Sequence, residues 1–417
     1  MSARAPRGLD RAGPYILVAG FILAALMTIG GGLGLAPAAA LTGLALAWFV
    51  RRPLIALIKR RPPALILAAG FIVWAVASWF WSPYDRPDQA IKLVLGPALF
   101  ALVPLAASSL DDTARARAAQ AFVLLSVACA VYFLAEAVSD ARFSHEYKMA
   151  VEGYADPEGS HAIAVRALSR GATPFLLFAG PALILMWMKG GLALRGFAAF
   201  TAIAAAAAAS AFEVEANIVA LAAAALAGLG AYLAPRRMLQ LILVGAAALI
   251  LAAPLIVRLG LVLLPENATE IAPVSWAWRI EIYTYTLERI AERPLFGWGL
   301  DAARVLSDPA TLRGVEIDRL PLHAHNAGLH IWLETGAIGA VLSAGALAAM
   351  ALALNRSAPQ PAVAAGVAWV LAGWLATVTF GYGIWQEWHH GALALGLSGA
   401  MLCEVARRPA RNLRFSP

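Results

Sequence analysis

Long apolar segments separated by short charged connections dominate this sequence of 417 residues. A helix needs about 20 mostly apolar residues to cross a lipid bilayer, and about 12 segments meet that requirement. They lie at 13–34, 36–50, 63–81, 90–107, 118–138, 172–189, 193–211, 215–234, 238–258, 327–354, 361–381 and 387–405. Only 14% of the residues are charged, whereas about a quarter are charged in a soluble domain. The sequence therefore predicts an all-α integral membrane protein, with residues 1–417 forming a single polytopic membrane domain.

Basic residues occur in alternate connections between these segments. The predicted cytoplasmic connections and termini carry Arg4, Arg7, Arg11, Arg51, Arg52, Lys59, Arg60, Arg61, Arg115, Arg117, Lys189, Arg195, Arg236, Arg237, Arg356, Arg407, Arg408, Arg411 and Arg414. The intervening connections at 30–34, 212–217 and 381–388 carry none. Since cytoplasmic connections are enriched in Lys and Arg, both termini are predicted to be cytoplasmic. The same rule accounts for the net charge of +7 without a nucleic-acid partner.

Two connections on the predicted outer side are much longer than the others. Residues 139–171 are predicted to form a smaller periplasmic loop, and residues 259–326 a large one before the tenth span. Ordered loops of this length are usually functional. The second loop contains SWAWRIEIYTYTLERIAERPLFGWG at 275–299, a pattern that predicts an amphipathic helix. Ser275 is the expected N-cap of this helix, and Pro294 is expected to end it.

The predicted amphipathic helix has two chemically different faces. Its apolar face is formed by Ile280, Tyr283, Leu287 and Ile290, and another face is lined by Arg279, Thr286 and Arg293. Arg279 lies among tryptophans, where an idle charge would be costly, so a ligand-binding role is favoured. Arg170 stands at the mouth of the sixth predicted span. Because guanidinium groups bind phosphate oxygens bidentately, Arg170 and Arg279 together suit a diphosphate.

The segment His323-Ala324-His325-Asn326 stands directly before the tenth predicted span. In an extended backbone the two histidine side chains would share a face. Asn326 is a good N-cap, which places His325 at a helix N-terminus that favours an anion. A histidine with a pKa near its ordinary value of about 6.5 can accept a proton. The pattern favours a general base, while a metal site with Asp318 and an idle capped histidine remain alternatives.

Four residues inside the tenth predicted span favour a structural role. His330 and Glu334 are one helical turn apart and are predicted to pair. Gly336 and Gly339 are expected to allow a close approach between helices.

The order of these motifs resembles the O-antigen ligase and polymerase superfamily. The resemblance is carried by RIEIYTYTLERIAERPLFGWG and HAHNAGLHIWLETGAIG, which follow a run of apolar spans. The family pattern is an Arg, an aromatic residue, a Pro-Leu-x-Gly-x-Gly turn, and then His-x-His-Asn before a helix with Glu-x-Gly. The similarity is concentrated at about 275–340, with a weaker echo at about 160–185.

The resemblance implies an enzyme, namely a membrane glycosyltransferase of the ligase type. Such an enzyme moves a glycan from undecaprenyl diphosphate to a lipid A core hydroxyl, at the periplasmic face of the bacterial inner membrane. The implied transfer is inverting and metal-independent, with no cofactor; its partners are the carrier-linked glycan, the lipid A core oligosaccharide and membrane lipids. By the same resemblance, the catalytic residues are His325 and Arg279. The expected substrate-binding residues are Arg166, Arg170, His323 and Asn326.

One stretch departs from the family pattern. Family members often carry Ser-Arg near the outer end of the seventh span, whereas here Ser210 is followed by Ala211 and then by the acids Glu213 and Glu215. The departure leaves the carrier contacts in this stretch open and is compatible with a different donor glycan.

Two other functions also fit the sequence. A polymerase that extends a carrier-linked glycan would share the whole motif. A proton-coupled transporter would suit about 12 spans that contain Glu and His, but the ionisable groups gather at one face and no internal repeat is evident. The residues alone do not rank four further histidines that are expected to face outward, namely His145, His161, His389 and His390.

Overall fold

The structure is a computed structural model that describes residues 7–212 and 214–404. Within these residues the chain is almost entirely α-helical, and its only sheet is a two-stranded antiparallel hairpin. The elements are α1 (Arg7–Ile29), α2 (Leu35–Lys59), α3 (Pro63–Ser78), α4 (Asp88–Ser109), α5 (Asp112–Val138), α6 (Arg142–Ala150), α7 (Pro157–Lys189), α8 (Leu192–Ala211), α9 (Glu215–Leu233), α10 (Pro235–Val262), α11 (Ala268–Ile271), α12 (Val274–Glu292), β1 (Pro309–Leu312), β2 (Val315–Asp318), α13 (Ala327–Ala353), α14 (Pro361–Phe380) and α15 (Glu387–Met401). Outside the described residues lie Arg4, Glu213, Arg407, Arg408, Arg411, Arg414 and the side chain of Arg7.

The long helices are those of a multi-pass membrane protein. Among the described residues, 11 helices are long and apolar enough to cross a membrane, namely α1–α5, α7–α10, α13 and α14. The predicted all-α membrane architecture is therefore confirmed. The predicted count of about 12 spans is one higher, because the last predicted span is represented by α15, which has only 15 residues.

α7 begins earlier than the sequence predicts. Pro157 occupies its first turn, and the carboxylate of Asp156 accepts hydrogen bonds from two backbone N–H groups of that turn. A carboxylate cap followed by proline is a favourable helix start, because proline already has a helical φ. The predicted loop at 139–171 therefore ends at Asp156 and contains α6, whereas Arg166 and Arg170 lie on α7 itself.

One end of the helix bundle gathers the longer connections, and we call it the loop face. It comprises residues 30–34, 79–87, 139–156, 263–326 and 381–386. These connections are bonded to one another: the Ser82 hydroxyl donates to the Leu300 carbonyl at 2.8 Å, and the Gln89 amide donates to the Trp385 carbonyl at 3.0 Å. Since successive spans alternate in direction, the predicted site residues all lie at this end.

α13 is interrupted at Gly336, whose φ is 63° and ψ is −166°. A Cβ atom on Gly336 would lie 2.3 Å from the carbonyl oxygen of Leu295, and one on Gly297 would lie 2.5 Å from that of Glu334. Backbone N–H groups of the loop after α12 donate to the carbonyls that the interruption frees. The predicted close approach is confirmed for Gly336, although its neighbour is this loop rather than a second helix.

Candidate active site

α12 carries Arg279 along the loop face. The predicted amphipathic helix is confirmed, but it begins one residue before Ser275, with Pro273 at the N-cap position and no side-chain cap. Thr286 was expected to share a polar face with Arg279. It is instead fully buried, and its hydroxyl donates to the Ile282 carbonyl at 2.6 Å. Thr286 therefore does not share the polar face that carries Arg279.

The residues before α13 form a tight turn instead of the expected extended segment. His325 has a φ of 48°, a left-handed conformation that costs a non-glycine residue about 1–2 kcal/mol. Asn326 caps α13 as predicted, because its Oδ1 accepts a hydrogen bond from the Leu329 N–H at 3.0 Å. The turn brings the ring centroids of His323 and His325 to 4.2 Å. The two histidines are therefore adjacent, as predicted, through a different backbone path.

The hydrogen bond of His325 fixes which ring nitrogen is free. Its Nδ1 lies 2.8 Å from the backbone oxygen of Gly381. A carbonyl can only accept, so Nδ1 carries the proton and Nε2 keeps its lone pair in the neutral ring. Burial, with a smaller contribution from the charge of Arg279, lowers the pKa of His325 to about 4. His325 is therefore neutral near pH 7 and presents Nε2 as a proton acceptor.

His323 packs between His325 and the turn that follows α14. The backbone N–H of His325 donates to Nδ1 of His323 at 3.3 Å, so the neutral His323 ring carries its proton on Nε2. A Cβ atom on Gly383 would lie 3.0 Å from the His323 ring, so glycine leaves the ring its room. Burial, followed by the neighbouring His325 and His330, holds the pKa of His323 well below its usual value.

Arg279 is largely withdrawn from solvent, with 15% of its side chain exposed. Its guanidinium lies 4.8 Å from the ring centroid of Trp276 and 3.8 Å from the carboxylate of Glu215, at the start of α9. The indole N–H of Trp276 donates to the same carboxylate at 2.6 Å. One of the two acids that depart from the family pattern therefore faces the arginine that was expected to bind substrate.

Arg170 lies beside the turn that binds His325. The hydroxyl of Thr173, one turn further along α7, lies 3.2 Å from the hydroxyl of Tyr382. Burial raises the pKa of Tyr382, and the positive charge of Arg170 acts in the opposite direction. Arg170 has a buried Nε with no hydrogen-bond partner among the described residues. Because Gly381 binds His325, the turn at 381–383 connects the histidine to the neighbourhood of Arg170.

The structure groups most, but not all, of the predicted site residues. It brings His323, His325, Asn326 and Arg279 together and places Arg170 at the adjoining turn. Arg166 is exposed on α7, one turn before Arg170, and its side chain has no hydrogen bond or ion pair with the part of the chain that is described.

Sequence reasoning missed the role of the turn between α14 and α15. Gly381 accepts the hydrogen bond that orients His325, and Gly383 makes room for His323. The signal was present as a tyrosine flanked by glycines, GYG at 381–383, in a connection between apolar segments. The contact between Arg279 and Glu215 was also missed, since no pattern relates two residues that lie on distant helices.

The other histidines differ in their relation to this group, and His330 lies beside His323 with ring centroids 6.3 Å apart. The ring centroids of His145 and His161 are 5.4 Å apart, and Nε2 of His161 lies 3.0 Å from the Asp140 carbonyl. His389, near the start of α15, is buried inside the bundle with Nε2 2.9 Å from the Thr377 hydroxyl. Among the described residues, no group of three or more His, Cys, Asp or Glu side chains is placed to hold a metal ion.

A cavity of about 830 Å³ adjoins the site. Its walls are mostly apolar side chains of α3, α4, α9, α10, α13 and α14, such as Phe71, Leu241 and Ile331. Tyr283 and Asn326 lie at its edge near the site, and the Tyr283 hydroxyl is 3.5 Å from the His325 carbonyl. An apolar space within the bundle therefore borders the histidine turn.

The long apolar helices define a multi-pass membrane protein, in which two histidines and Arg279 cluster at one end of the bundle. Residues 160–344, which include every predicted site residue, match the family model described as O-antigen ligase. A Rickettsia conorii protein named "Putative polysaccharide ligase" is 36% identical over 72 residues, which cover 16% of this chain and 18% of that protein. The chain thus spans less than a fifth of the length of this curated relative. No solved structure matches it. The predicted resemblance to the O-antigen ligase and polymerase superfamily is confirmed.

Proposed function

We propose that the chain is a membrane glycosyltransferase of the O-antigen ligase type, which moves a glycan from undecaprenyl diphosphate to a lipid A core hydroxyl. The observation that carries this proposal is the neutral His325, whose Nε2 lone pair is free within electrostatic reach of Arg279. A base beside an arginine suits a displacement in which a hydroxyl loses its proton while an anionic group departs.

In the proposed step, the acceptor hydroxyl gives its proton to Nε2 of His325, and its oxygen attacks the anomeric carbon of the donor sugar. The bond from that carbon to the diphosphate oxygen breaks, the diphosphate keeps the electron pair, and the configuration inverts. Arg279 and Arg170 neutralise the departing charge. Because diphosphate is already a good leaving group, positioning and charge neutralisation suffice without a metal ion. The remaining predicted substrate contacts are Arg166, His323 and Asn326.

The arginines are available for an anionic ligand. The side chain of Arg170 makes no hydrogen bond or ion pair with the described residues, although its Nε is buried. A buried polar group without a partner is costly, so a ligand that supplies oxygen atoms fits this position. Arg279 contacts Glu215 only at 3.8 Å, which leaves its guanidinium donors free for phosphate oxygens.

The cavity supports an amphipathic donor. Its volume of about 830 Å³ is bounded mostly by apolar side chains, and its lining includes Tyr283 and Asn326 beside the histidine turn. A polyprenyl chain prefers such walls to water, while its diphosphate would lie at the polar end. The carrier is therefore expected to place its tail in the bundle and its head group beside Arg279.

The proposed orientation places the loop face in the periplasm and both termini in the cytoplasm of a bacterial inner-membrane protein. It takes α15 as the last crossing, because Glu404, just after α15, pairs with Arg115 at the end of the bundle opposite to the loop face. Arg236 and Arg356 lie at the end of the bundle opposite to the loop face, as the positive-inside rule requires. A reporter inserted at 355–360 should be cytoplasmic, and one at 305–315 periplasmic. The reverse pattern would contradict the orientation.

The proposal is tested by reconstituting the purified protein in liposomes with carrier-linked glycan and lipid A core oligosaccharide lipid. We expect lipopolysaccharide of reduced electrophoretic mobility with the wild type and none with His325→Ala. The matched control is His145→Ala, a change of the same kind on the same face of the molecule. Growth of the carrier-linked chain would instead identify a polymerase, and carrier flux that persists in His325→Ala would identify a transporter.

A further inference from the structure

Glu334 is fully buried in α13 and accepts hydrogen bonds from separate parts of the loop face. Its Oε2 accepts from the backbone N–H of Asp301 at 2.7 Å and from the indole N–H of Trp385 at 2.5 Å. Its Oε1 accepts from the backbone N–H of Ala303 at 3.1 Å and lies 3.1 Å from Nε2 of His330. A carboxylate with this set of partners is an acceptor throughout, so Nε2 of His330 carries a proton.

His330 presents an unused acceptor next to an unused donor. In the neutral ring, Nδ1 of His330 keeps its lone pair, and this atom is buried without a hydrogen-bond partner in the described part of the chain. The ring of His323 is adjacent, with centroids 6.3 Å apart. His323 carries its proton on Nε2, because its Nδ1 accepts from the His325 backbone. The described residues show no hydrogen bond between the two rings, and a small ring rotation or a bridging water would join this donor to the acceptor of His330.

We propose that His330 is a positioning residue for His325 and acts through His323; this inference rests on the proposed function. Hydrogen bonds join Glu334 to His330 and the backbone N–H of His325 to His323, and the proposed link between the rings of His330 and His323 completes the path. They hold His325 at its φ of 48°, a conformation that persists only where the surroundings impose it. In that conformation Nδ1 of His325 meets the Gly381 carbonyl, and Nε2 stays free for the acceptor hydroxyl.

Glu334, where this series of hydrogen bonds starts, lies in a tightly packed part of the structure. Glu334 stands two residues before the interruption of α13 at Gly336, where the backbones of helix and loop are too close to admit a side chain. Through Asp301 and Trp385, the same carboxylate also ties the loop after α12 to the turn after α14. A buried carboxylate is expensive in a membrane helix unless it is fully partnered. Its partners here are the segments that carry the proposed catalytic groups.

The direct test is His330→Gln, whose amide nitrogen keeps a donor for Glu334 but which has no acceptor at the Nδ1 position that faces His323. We expect kcat to fall by about tenfold to a hundredfold, and KM for either substrate to change by less than about threefold, since neither substrate touches His330. His145→Gln is the matched control, because His145 also has a buried ring nitrogen without a partner beside another histidine ring. The control should keep the wild-type kcat.

A second pair of variants keeps the test decisive if His330→Gln does not fold. His323→Asn places an acceptor oxygen where Nδ1 of His323 stood, whereas His323→Gln does not. We expect the Asn variant to retain more of kcat than the Gln variant, at equal thermal unfolding midpoints. Equal kcat in these two variants, or an unchanged kcat in a folded His330→Gln protein, would overturn the positioning role.

Nitrogen-15 NMR of histidine-labelled protein in lipid nanodiscs supplies a readout that needs no turnover. The wild type should show His325 protonated on Nδ1, and His330→Gln should show a mixture of His325 tautomers. If the wild type transfers no glycan, the proposed function fails, and the tautomer mixture still decides the positioning role. If the wild type transfers glycan and the tautomer is unchanged in His330→Gln, only the positioning role fails.

Discussion

Two pairs of histidines lie on the loop face, and they make a useful comparison. The site pair consists of His323 and His325, whose ring centroids are 4.2 Å apart. The α6–α7 pair consists of His145 and His161, whose centroids are 5.4 Å apart. By residue type and spacing between rings, either pair is suited to accept a proton or to bind a polar ligand.

The surroundings of the two pairs differ in the sign of their charge. The site pair lies within reach of Arg279, whose charge contributes to the low pKa of His325. In the α6–α7 pair, by contrast, Nε2 of His161 lies 3.6 Å from the carboxylate of Asp140, and the buried Glu136 carboxylate bonds the adjacent Ser144. An anionic donor is attracted to the first environment and repelled by the second. The charged neighbours, more than the histidines themselves, therefore distinguish a candidate site from a surface pair.

Alanine substitution in each pair tests the difference between them most directly. We expect His325→Ala to lower kcat by about 10²–10⁴-fold, the usual contribution of a general base, and His145→Ala to leave kcat within about twofold. The measurement is the initial rate of glycan transfer by each purified variant. Similar losses in both variants would remove the distinction between the pairs.

The second largest effect is expected from substitution of Arg279, whose charge distinguishes the surroundings of the site pair from those of the α6–α7 pair. Arg279→Lys keeps a positive charge but loses the bidentate geometry, so kcat/KM for the carrier-linked donor should fall by about tenfold to a hundredfold. Arg293→Lys is the matched control, because Arg293 is the C-cap residue directly after α12 and stacks on Trp298 at 4.0 Å. Near-wild-type donor kinetics for Arg279→Lys would contradict a diphosphate at this position.

Local patterns predicted the elements of the fold and the chemical types in the site. Apolar segment length predicted the spanning helices, and Asn326 before an apolar run predicted the cap of α13. His330 and Glu334, one turn apart, were correctly expected to pair, and they lie 3.1 Å from each other. Each of these predictions depends on interactions within about one or two turns of helix, which the order of residues encodes directly.

Contacts between distant segments could not be predicted in the same way. Gly381 orients His325 across 56 residues of sequence, and Glu215 meets Arg279 from another helix. The left-handed φ of His325 is imposed by such contacts and overrides the extended conformation that its sequence neighbours favour. Tertiary packing, which a single sequence does not display, decides these parts of the site.

The contact between Glu215 and Arg279 offers a finer test of the charge around the site pair. Glu215 is half exposed and 3.8 Å from the guanidinium, and exposed ion pairs of this kind contribute about 0–1 kcal/mol. Glu215→Gln should therefore lower KM for the donor by up to about fivefold, because the negative charge of Glu215 no longer opposes a phosphate beside Arg279. Glu270→Gln, an exposed acid on α11, should leave KM unchanged. A raised donor KM in Glu215→Gln would instead mean that the carboxylate contacts the donor.

The smallest expected effect is that of pH in the neutral range. Protonation removes the Nε2 lone pair, and the pKa of His325 is lowered to about 4 by burial and by Arg279. The base form therefore predominates at every pH well above that value. We expect kcat/KM for the donor, which reports the free enzyme, to stay flat across about pH 6–8 and to fall only as the pH approaches 4.

At saturating donor, the acid limb of the kcat profile should shift to higher pH. A bound diphosphate would offset the charge of Arg279, which otherwise lowers the pKa of His325. The two pH profiles, measured on the same preparation, thus report the base and the anion site separately. A free-enzyme limb near the ordinary histidine pKa of about 6.5 would contradict a desolvated His325. Identical limbs in both profiles would contradict a diphosphate beside Arg279. His145→Ala should leave the acid limbs of both pH profiles unchanged. The α6–α7 pair lies near carboxylates, which do not attract an anionic donor.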